Sequence, residues 1–193
     1  MDYVREFAGC TQIMFELRET GIAGFVELRP DVKSDVRGAF VKTFQQAFFE
    51  THGLEMQFRE HYYSVSRRKV LRGLHFQLPP NDQAKLVFCI AGEIMDVALD
   101  LRTRSPTFGE HRSVTISAEQ ANQVYLARGL AHGFYVLSDS ATVVYNVTTL
   151  HATAYDMGIH WNSAGIRWPD DRPIVSERDS TFSPWKDFRS PFI

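Results

Sequence analysis

The chain has 193 residues, 44% of them hydrophobic and 23% charged, and its formal net charge is -2. This length and composition predict one soluble globular domain with a sizeable core. The charge provides no basic field for nucleic acid, and no apolar run reaches the ~18 residues of a membrane span. The N-terminal sequence lacks the basic region and apolar stretch of a signal peptide, so we expect a cytoplasmic protein without nucleic-acid or membrane partners.

The two cysteines agree with this location. Cys89 lies in the apolar run LVFCIAG, which predicts a core position, and Cys10 is close to the N-terminus. Two cysteines placed in this way indicate neither a disulfide framework nor a zinc site.

Short strand-like stretches alternate with turns in the first third of the chain. Residues 1–20 show no clear period and are interpreted as an N-terminal extension. Residues 31–38 combine Asp, Ser and Gly, which is typical of a loop. Residues 44–52 have a helical pattern, which Gly53 ends. Alternation of apolar and polar residues predicts strands at residues 24–29, 39–44 and 58–66.

Strands dominate from residue 70 to residue 148. Seven short strands with hardly any helical period between them indicate an antiparallel sandwich or barrel, because parallel strands would need crossover helices. We expect one domain, with a barrel over residues 22–150 and a polar, proline-containing segment over residues 151–193 that packs on it as short helices or coil. The seven predicted strands are residues 70–76, 85–91, 93–101, 111–116, 123–126, 132–137 and 142–148.

Three polar side chains stand close together on the first of these strands, in VLRGLHFQ. Arg72 is a cation, His75 titrates near neutrality and Gln77 is an amide, a combination that suits an anionic, ionisable substrate. The same residues also fit an ordinary strand whose Arg72 and Gln77 face solvent. The rest of the chain decides between these interpretations.

A metal site is one alternative for this region. His75 and His132 both lie on predicted strands and could point into one barrel. A metal-binding cupin carries a His-x-His pair and a downstream carboxylate, whereas the second residue after His75 is Gln77. Two histidines without a third ligand at suitable spacing make a poor metal site. A metal-dependent cupin oxygenase is therefore disfavoured, and no metal or other cofactor is predicted.

Proton transfer next to a carbonyl group fits the remaining residues. It requires a base for the α-proton, a cation or donor for the enolate oxygen and, for inversion, an acid on the opposite face. His75 can be the base, and either Lys85 or Arg72 can stabilise the enolate. Tyr145, in TVVYNVTT, is a candidate acid, although a core tyrosine would have the same pattern. A carboxylate would orient the base, and Asp179 is one of many candidates.

Segments along most of the chain resemble one family. In chain order they are DVRG, VLRGLHFQ, KLV, GEIMDVALDLRTRSPTFG, SAEQ, LARGLAHGF, VVYNVTT, GIHW, GIRWP and VSERD. With these segments the chain resembles the dTDP-4-dehydrorhamnose 3,5-epimerases over about residues 22–190. Enzymes of that family act on nucleotide-linked 4-keto-6-deoxy sugars.

The resemblance implies both a fold and an activity. The fold is all-β, a cupin-like double-stranded β-helix (jelly-roll barrel) with a few short peripheral helices. The activity is epimerisation of a nucleotide-linked 4-keto-6-deoxyhexose, with 3,5-epimerisation of dTDP-4-dehydro-6-deoxyglucose as the leading form. A homodimer that uses no metal or cofactor is also implied.

The resemblance further implies roles for individual residues. His75 is the base and is paired with Asp179. Tyr145 is the acid on the other face of the sugar, and Lys85 lies near the C4 keto oxygen. The predicted substrate-binding residues are Arg37, Phe40, Glu60, Arg72, Gln77, His132 and His151.

Two of these residues act across subunits in the family. Arg37 and Phe40 match family positions that reach the nucleotide in the partner subunit's site. Other positions on the substrate-facing rim depart from the family pattern, so the nucleotide (dTDP, CDP or GDP) and the inverted carbon (C3, C5 or both) stay open. The departures are Lys42 for Glu, Glu60-His61-Tyr62-Tyr63 for Gln-Asp-Asn-His, Ala127 for Pro, Asn146 for Lys, and Leu150-His151 for Tyr-Tyr.

Related activities are the remaining alternatives. A single-centre epimerase or a sugar ketoisomerase would share this fold. Related ketoisomerases transfer the proton with a histidine pair, so the presence of Tyr145 favours epimerisation. A non-catalytic sugar-nucleotide-binding barrel is disfavoured, because binding alone does not require an acid and a base.

Overall fold

The computed structural model describes residues 15–193. Within them the chain forms short β-strands, two short α-helices and two single turns of 3₁₀-helix. The strands are β1 Phe15–Ile22, β2 Phe25–Pro30, β3 Val32–Asp35, β4 Gly38–Val41, β5 Glu60–Arg67, β6 Leu71–Gln77, β7 Lys85–Ala91, β8 Glu93–Asp100, β9 His111–Ser117, β10 Gln123–Leu126, β11 Leu130–Val136, β12 Ser140–Val147 and β13 Asp156–Gly158. The helices are α1 Gln46–Thr51 and α2 Glu177–Ser180, and the 3₁₀ turns are Thr153–Tyr155 and Trp185–Asp187.

Two antiparallel sheets face each other across the core. One has the order β1-β2-β10-β7-β12-β5 and the other has the order β13-β6-β11-β8-β9. Buried side chains from both sheets meet between them, among them Phe25, Ile94, Phe134 and Val143. This arrangement is a jelly-roll barrel of the cupin type, as predicted. Within residues 15–193, no helix is long and apolar enough to cross a membrane.

Alternation of side chains explains why these segments are strands. In β12 the buried positions are every second residue, including Val143, Tyr145 and Val147, so one face of the strand points into the barrel. In contrast, β11 is buried along its whole length. Its outer face is covered by the C-terminal part of the chain, where Ile159, Ile166 and Phe192 form a second core cluster with Ala131.

The predicted strands between residues 70 and 148 are confirmed as β6 to β12. The predicted helix over residues 44–52 is α1, Gln46–Thr51. Gly53 follows it with a φ of +64°, a left-handed conformation that ends a helix without steric cost to glycine.

Two predictions about the first 40 residues, and a third about the C-terminal segment, were wrong at least in part. Residues 15–20 belong to β1 and pair with β2, so they are not part of an extension; residues 1–14, with Cys10, lie outside the described residues. Only Phe15 and Ile22 of this edge strand are buried, so it has no clear alternation. Residues 31–38 are not a loop, because β3 and β4 form an exposed hairpin with a two-residue turn.

The C-terminal segment also differs from a set of short helices or coil, because it includes β13, which pairs with β6. Additional backbone bonds join it to the same strand: Leu74 N–H donates to Ile159 O over 3.1 Å, and Leu71 N–H donates to Ile174 O over 2.9 Å. Cys89 lies in the barrel core, as predicted. We propose that the described chain is one domain, since residues 151–193 and the barrel share a core cluster.

Two glycines allow β6 and β11 to approach closely. A Cβ on Gly73 would lie 2.6 Å from Gly133 Cα, and a Cβ on Gly133 would lie 2.9 Å from Arg72 O. Real Cβ atoms do not come this close to backbone atoms, so glycine is required on both strands. The pairing that results sets His132 directly opposite His75.

We expect Gly133→Ala to lower the free energy of unfolding by about 1–3 kcal/mol, because the added methyl overpacks the β6–β11 contact. Urea unfolding followed by circular dichroism measures this change. Ser113→Ala on the exposed part of β9 is the matched control, with a change within about 0.5 kcal/mol. If Gly133→Ala had the unfolding midpoint of the wild type, the prediction would be wrong, and the two strands would be able to move apart to accept the methyl group.

Candidate active site

A cavity of about 400 Å³ lies between the two sheets. Strands β5, β7 and β12 line it from the six-stranded sheet, and β6 and β11 line it from the five-stranded sheet. Of the predicted site residues, those that line the cavity are Glu60, Arg72, His75, Gln77, Lys85, His132, Tyr145 and His151.

His75 and Asp179 form a hydrogen-bonded pair at one wall of this cavity. His75 Nε2 lies 2.9 Å from Asp179 Oδ1, and the Gly73 backbone N–H donates to Asp179 Oδ2 over 3.0 Å. Helix α2 holds the carboxylate in place, since its N-cap Ser176 accepts a hydrogen bond from Asp179 N–H over 3.0 Å. If Nε2 carries the proton donated to Asp179, Nδ1 keeps the lone pair that can accept another proton.

The charge of Asp179 follows from two opposing effects. Burial of the side chain raises its pKa, but hydrogen bonds from His75, from the Gly73 N–H and at Ser176 lower it by more, so the pKa lies below the usual aspartate value. Asp179 is therefore ionised at neutral pH. The ionised carboxylate accepts the hydrogen bond from His75 and so orients the imidazole.

Phe182 and Arg178 complete the surroundings of this pair. The rings of Phe182 and His75 make an edge-to-face contact with centroids 5.7 Å apart, and the Arg178 guanidinium lies 5.2 Å from the Phe182 centroid. Arg178 lines the cavity and forms an ion pair of 2.7 Å with Asp156. Neither Arg178 nor Asp156 was predicted as a site residue, although Arg178 immediately precedes Asp179 in VSERD.

Tyr145 enters the cavity from the opposite sheet. Its ring stacks on Tyr62 with centroids 5.0 Å apart and an interplanar angle of 22°, and it makes an edge-to-face contact with the His132 ring. The hydroxyl lies 3.4 Å from Ser64 Oγ. Burial raises the pKa of Tyr145 far above its ordinary value, and the hydrogen bond with Ser64 offsets little of this rise. The phenol is therefore protonated and has a proton to donate.

Lys85 brings a cation to the same cavity. It is the first residue of β7 and is buried, and burial lowers its pKa to about 8. The carboxylates of Asp156 and Asp96 oppose this effect. Lys85 therefore remains largely protonated at pH 7, with its positive charge poorly solvated by water.

His132 forms a second buried pair with Asp96, a residue that was not predicted. His132 Nε2 lies 2.7 Å from Asp96 Oδ2. Burial lowers the pKa of His132 and raises the pKa of Asp96. Asp96 Oδ1 has no hydrogen-bond partner among the described residues. The one sequence signal for this carboxylate is its position in the apolar run IMDVALD.

Strand β5 forms a polar wall of the cavity. Its inward positions include Glu60, Tyr62 and Ser64, all of which line the cavity. Its inward Ser66 accepts a hydrogen bond of 3.0 Å from Arg72 Nε, which orients that guanidinium from the facing strand. Polar side chains are favourable here, because this strand faces the cavity rather than the apolar core.

Gln77 and Glu60 connect the cavity to the loop after β12. Gln77 Nε2 donates to Asn81 O over 2.8 Å, and Gln77 Oε1 accepts from Ala152 N–H over 2.6 Å. Glu60 Oε1 accepts from the backbone N–H of His151 over 3.2 Å. Within residues 15–193, no group of three His, Cys, Asp or Glu side chains is arranged to hold a metal ion.

Arg37 and Phe40 lie apart from these residues. Both belong to the β3–β4 hairpin, and neither is among the described residues that line the cavity. Arg37 forms an ion pair of 2.6 Å with Asp35 on the same hairpin, and Phe40 is 64% exposed. The described chain alone therefore does not bring this predicted pair to His75.

The fold and the cavity together define a class of protein. It is a cupin-type jelly-roll barrel whose cavity holds a carboxylate-paired histidine on one sheet, a protonated tyrosine on the other, and a buried lysine. This arrangement is suited to moving protons next to a carbonyl group.

Comparison with known proteins specifies the family. The model of the dTDP-4-dehydrorhamnose 3,5-epimerase family matches residues 19–187, and the chain belongs to this family. An epimerase of that name from Methanothermobacter thermautotrophicus is 43% identical over 178 residues, which are 90% of this chain and 96% of the relative. A dTDP-4-dehydrorhamnose 3-epimerase from Streptomyces niveus is 37% identical over 84% of this chain and 80% of its own.

A solved structure from Legionella pneumophila superposes with a TM-score of 0.88 at 33% identity, covering 93% of this chain and 98% of that one. It is described as dTDP-6-deoxy-D-glucose-3,5-epimerase in complex with dTDP-4-keto-L-rhamnose.

Proposed function

We propose that this protein epimerises C3 and C5 of a dTDP-linked 4-keto-6-deoxyhexose. It is then an isomerase of the activity for which its family is named. The observation that carries the proposal is that His75 and Tyr145 enter one cavity from opposite sheets. Inversion at carbon requires proton removal from one face and proton return from the other, and a base and an acid on facing sheets meet this requirement.

The reaction at each carbon has two steps. His75 removes the proton next to the ketone, and the electrons of that C–H bond move into an enolate whose charge lies on the C4 oxygen. Lys85 stabilises this charge, and Tyr145 donates its proton to the opposite face of the carbon. The protonated His75 and the phenolate of Tyr145 then return to their starting states by proton exchange with water. Asp179 supports the imidazolium during the first step.

The other cavity residues are proposed to bind substrate. Arg72 supplies a positive charge for the sugar or the diphosphate, and His132 lines the sugar pocket beside Tyr145. Glu60 and His151 lie at the rim, where the chain departs from the family pattern. Gln77 acts less directly, since its amide is bonded to the backbone of the loop that carries His151.

We also propose that the enzyme is a homodimer in the cytoplasm. Support comes from the β3–β4 hairpin, whose Val36 and Phe40 are exposed although both are apolar. A groove of about 470 Å³ runs along this hairpin past Arg37. In the proposed dimer, Arg37 and Phe40 reach the nucleotide of the partner subunit.

Solvent exchange tests the proposed reaction. In D₂O, we expect proton NMR of dTDP-4-keto-6-deoxyglucose to show enzyme-dependent exchange at C3 and C5. His75→Ala should reduce this exchange by about 10²–10⁴-fold, because the base is lost. Tyr145→Phe should keep exchange and lose net inversion.

Exchange at one carbon would instead indicate a single-centre epimerase. An absence of exchange, repeated with CDP- and GDP-linked ketosugars, would leave the binding-protein alternative. Full exchange in His75→Ala would contradict the role of His75 as the base.

The pH profile tests the charge of Lys85. Its pKa of about 8 means that the cation is present below this pH and is lost above it. We therefore expect kcat/KM to fall about tenfold per pH unit once the pH exceeds the Lys85 pKa. Lys85→Gln should be about 10²-fold less active and should lack this decline. A wild-type profile that stays flat to pH ~9.5 would contradict the need for the cation.

Subunit mixing tests the hairpin. Co-expression of His75→Ala and Arg37→Ala chains should restore up to about a quarter of the wild-type sites, because in half of the dimers one site combines an intact His75 with the partner's intact hairpin. Each variant expressed alone is the control. No recovery in isolated heterodimers would mean that Arg37 serves its own subunit or no site.

A further inference from the structure

Tyr62 lies directly opposite Tyr145 in the β5–β12 ladder. Its ring is nearly parallel to that of Tyr145, with the centroids 5.0 Å apart. Both residues line the cavity, but Tyr62 is 44% exposed and Tyr145 only 8%. Tyr62 therefore covers one face of the Tyr145 ring on the side of the cavity that is open to solvent.

The hydroxyl of Tyr145 is held less firmly than its ring. Its polar contact is with Ser64 Oγ at 3.4 Å, longer than the usual 2.5–3.0 Å between two hydroxyl oxygens. The position of the Tyr145 ring is set mainly by packing, with the Tyr62 face on one side and the edge contact with His132 on another. Of these two neighbours, Tyr62 has no role in the reaction proposed above. It occupies a position at which the family pattern usually has asparagine.

We infer that Tyr62 is a positioning residue that holds Tyr145 for reprotonation, and so sets how often an enolate is inverted rather than returned to the starting sugar. The inference rests on the proposed function. Proton transfer requires the Tyr145 hydroxyl to lie within reach of the enolate carbon, about 2.6–3.2 Å. A mobile Tyr145 ring would often lie outside this distance, and the enolate would then not be inverted. The base on the facing sheet would still form the enolate and would still exchange the proton with solvent.

The ratio of inversion to exchange measures this role. In D₂O, we expect Tyr62→Ala to lower the number of inversions per exchange event at C3 and C5 by about two- to tenfold, the range that one aromatic stack supports. Tyr62→Phe is the matched control and should keep the ratio within about twofold, because it retains the ring and lacks only the hydroxyl. If Tyr62→Ala does not fold, Tyr62→Leu, which keeps apolar bulk without a ring, is scored by the same ratio.

Each other outcome has a distinct meaning. A raised KM with an unchanged ratio in Tyr62→Ala would make Tyr62 a wall of the substrate pocket and overturn the inference. A ratio that collapses in Tyr62→Phe would make its hydroxyl a proton donor and also overturn it. Wild-type enzyme that catalyses no exchange would instead count against the proposed function, so the two failures are separate.

Discussion

The carboxylate of Asp179 connects the two parts of the structure on which the site depends. It lies on a helix of only four residues in the C-terminal segment, yet it accepts hydrogen bonds from His75 and from the Gly73 backbone in the barrel. Hydrogen bonds to an ionised carboxylate are stronger than those to a neutral acceptor, so these contacts fix both the imidazole and the helix. The barrel thus supplies the histidine, and the segment packed outside it supplies the carboxylate that orients the imidazole.

Facing sheets give the site its second constraint. The five-stranded sheet carries His75 and the His132–Asp96 pair, whereas the six-stranded sheet carries Lys85, Tyr145 and the polar wall of β5. The glycine contact between β6 and β11 places the two histidines side by side. The cavity is consequently asymmetric, with its two imidazoles on one sheet and Tyr145 on the other.

Regular alternation made much of this structure predictable from the sequence. Strand β12 alternates and strands β10 and β11 are buried throughout, and His75, Lys85 and Tyr145 lie on β6, β7 and β12 with side chains that line the cavity. Edge strands such as β1 and β3 bury few side chains, so their sequences have the polar character of loops. Asp96, Arg178, Asp156 and Tyr62 are among the site residues that were missed, since each acquires its partner through strand register or through packing of the C-terminal segment. Asp179 was singled out by family resemblance alone.

Phe192 is a second residue of the C-terminal segment that supports the strand carrying His75. Its ring packs edge-on against Phe76, the neighbour of His75, and its carbonyl accepts a hydrogen bond of 2.9 Å from the Thr103 N–H. The side chain is buried with Leu74 in the outer core cluster. Loss of the Phe192 side chain would therefore leave a void behind β6, the strand that carries His75, on the side away from the cavity.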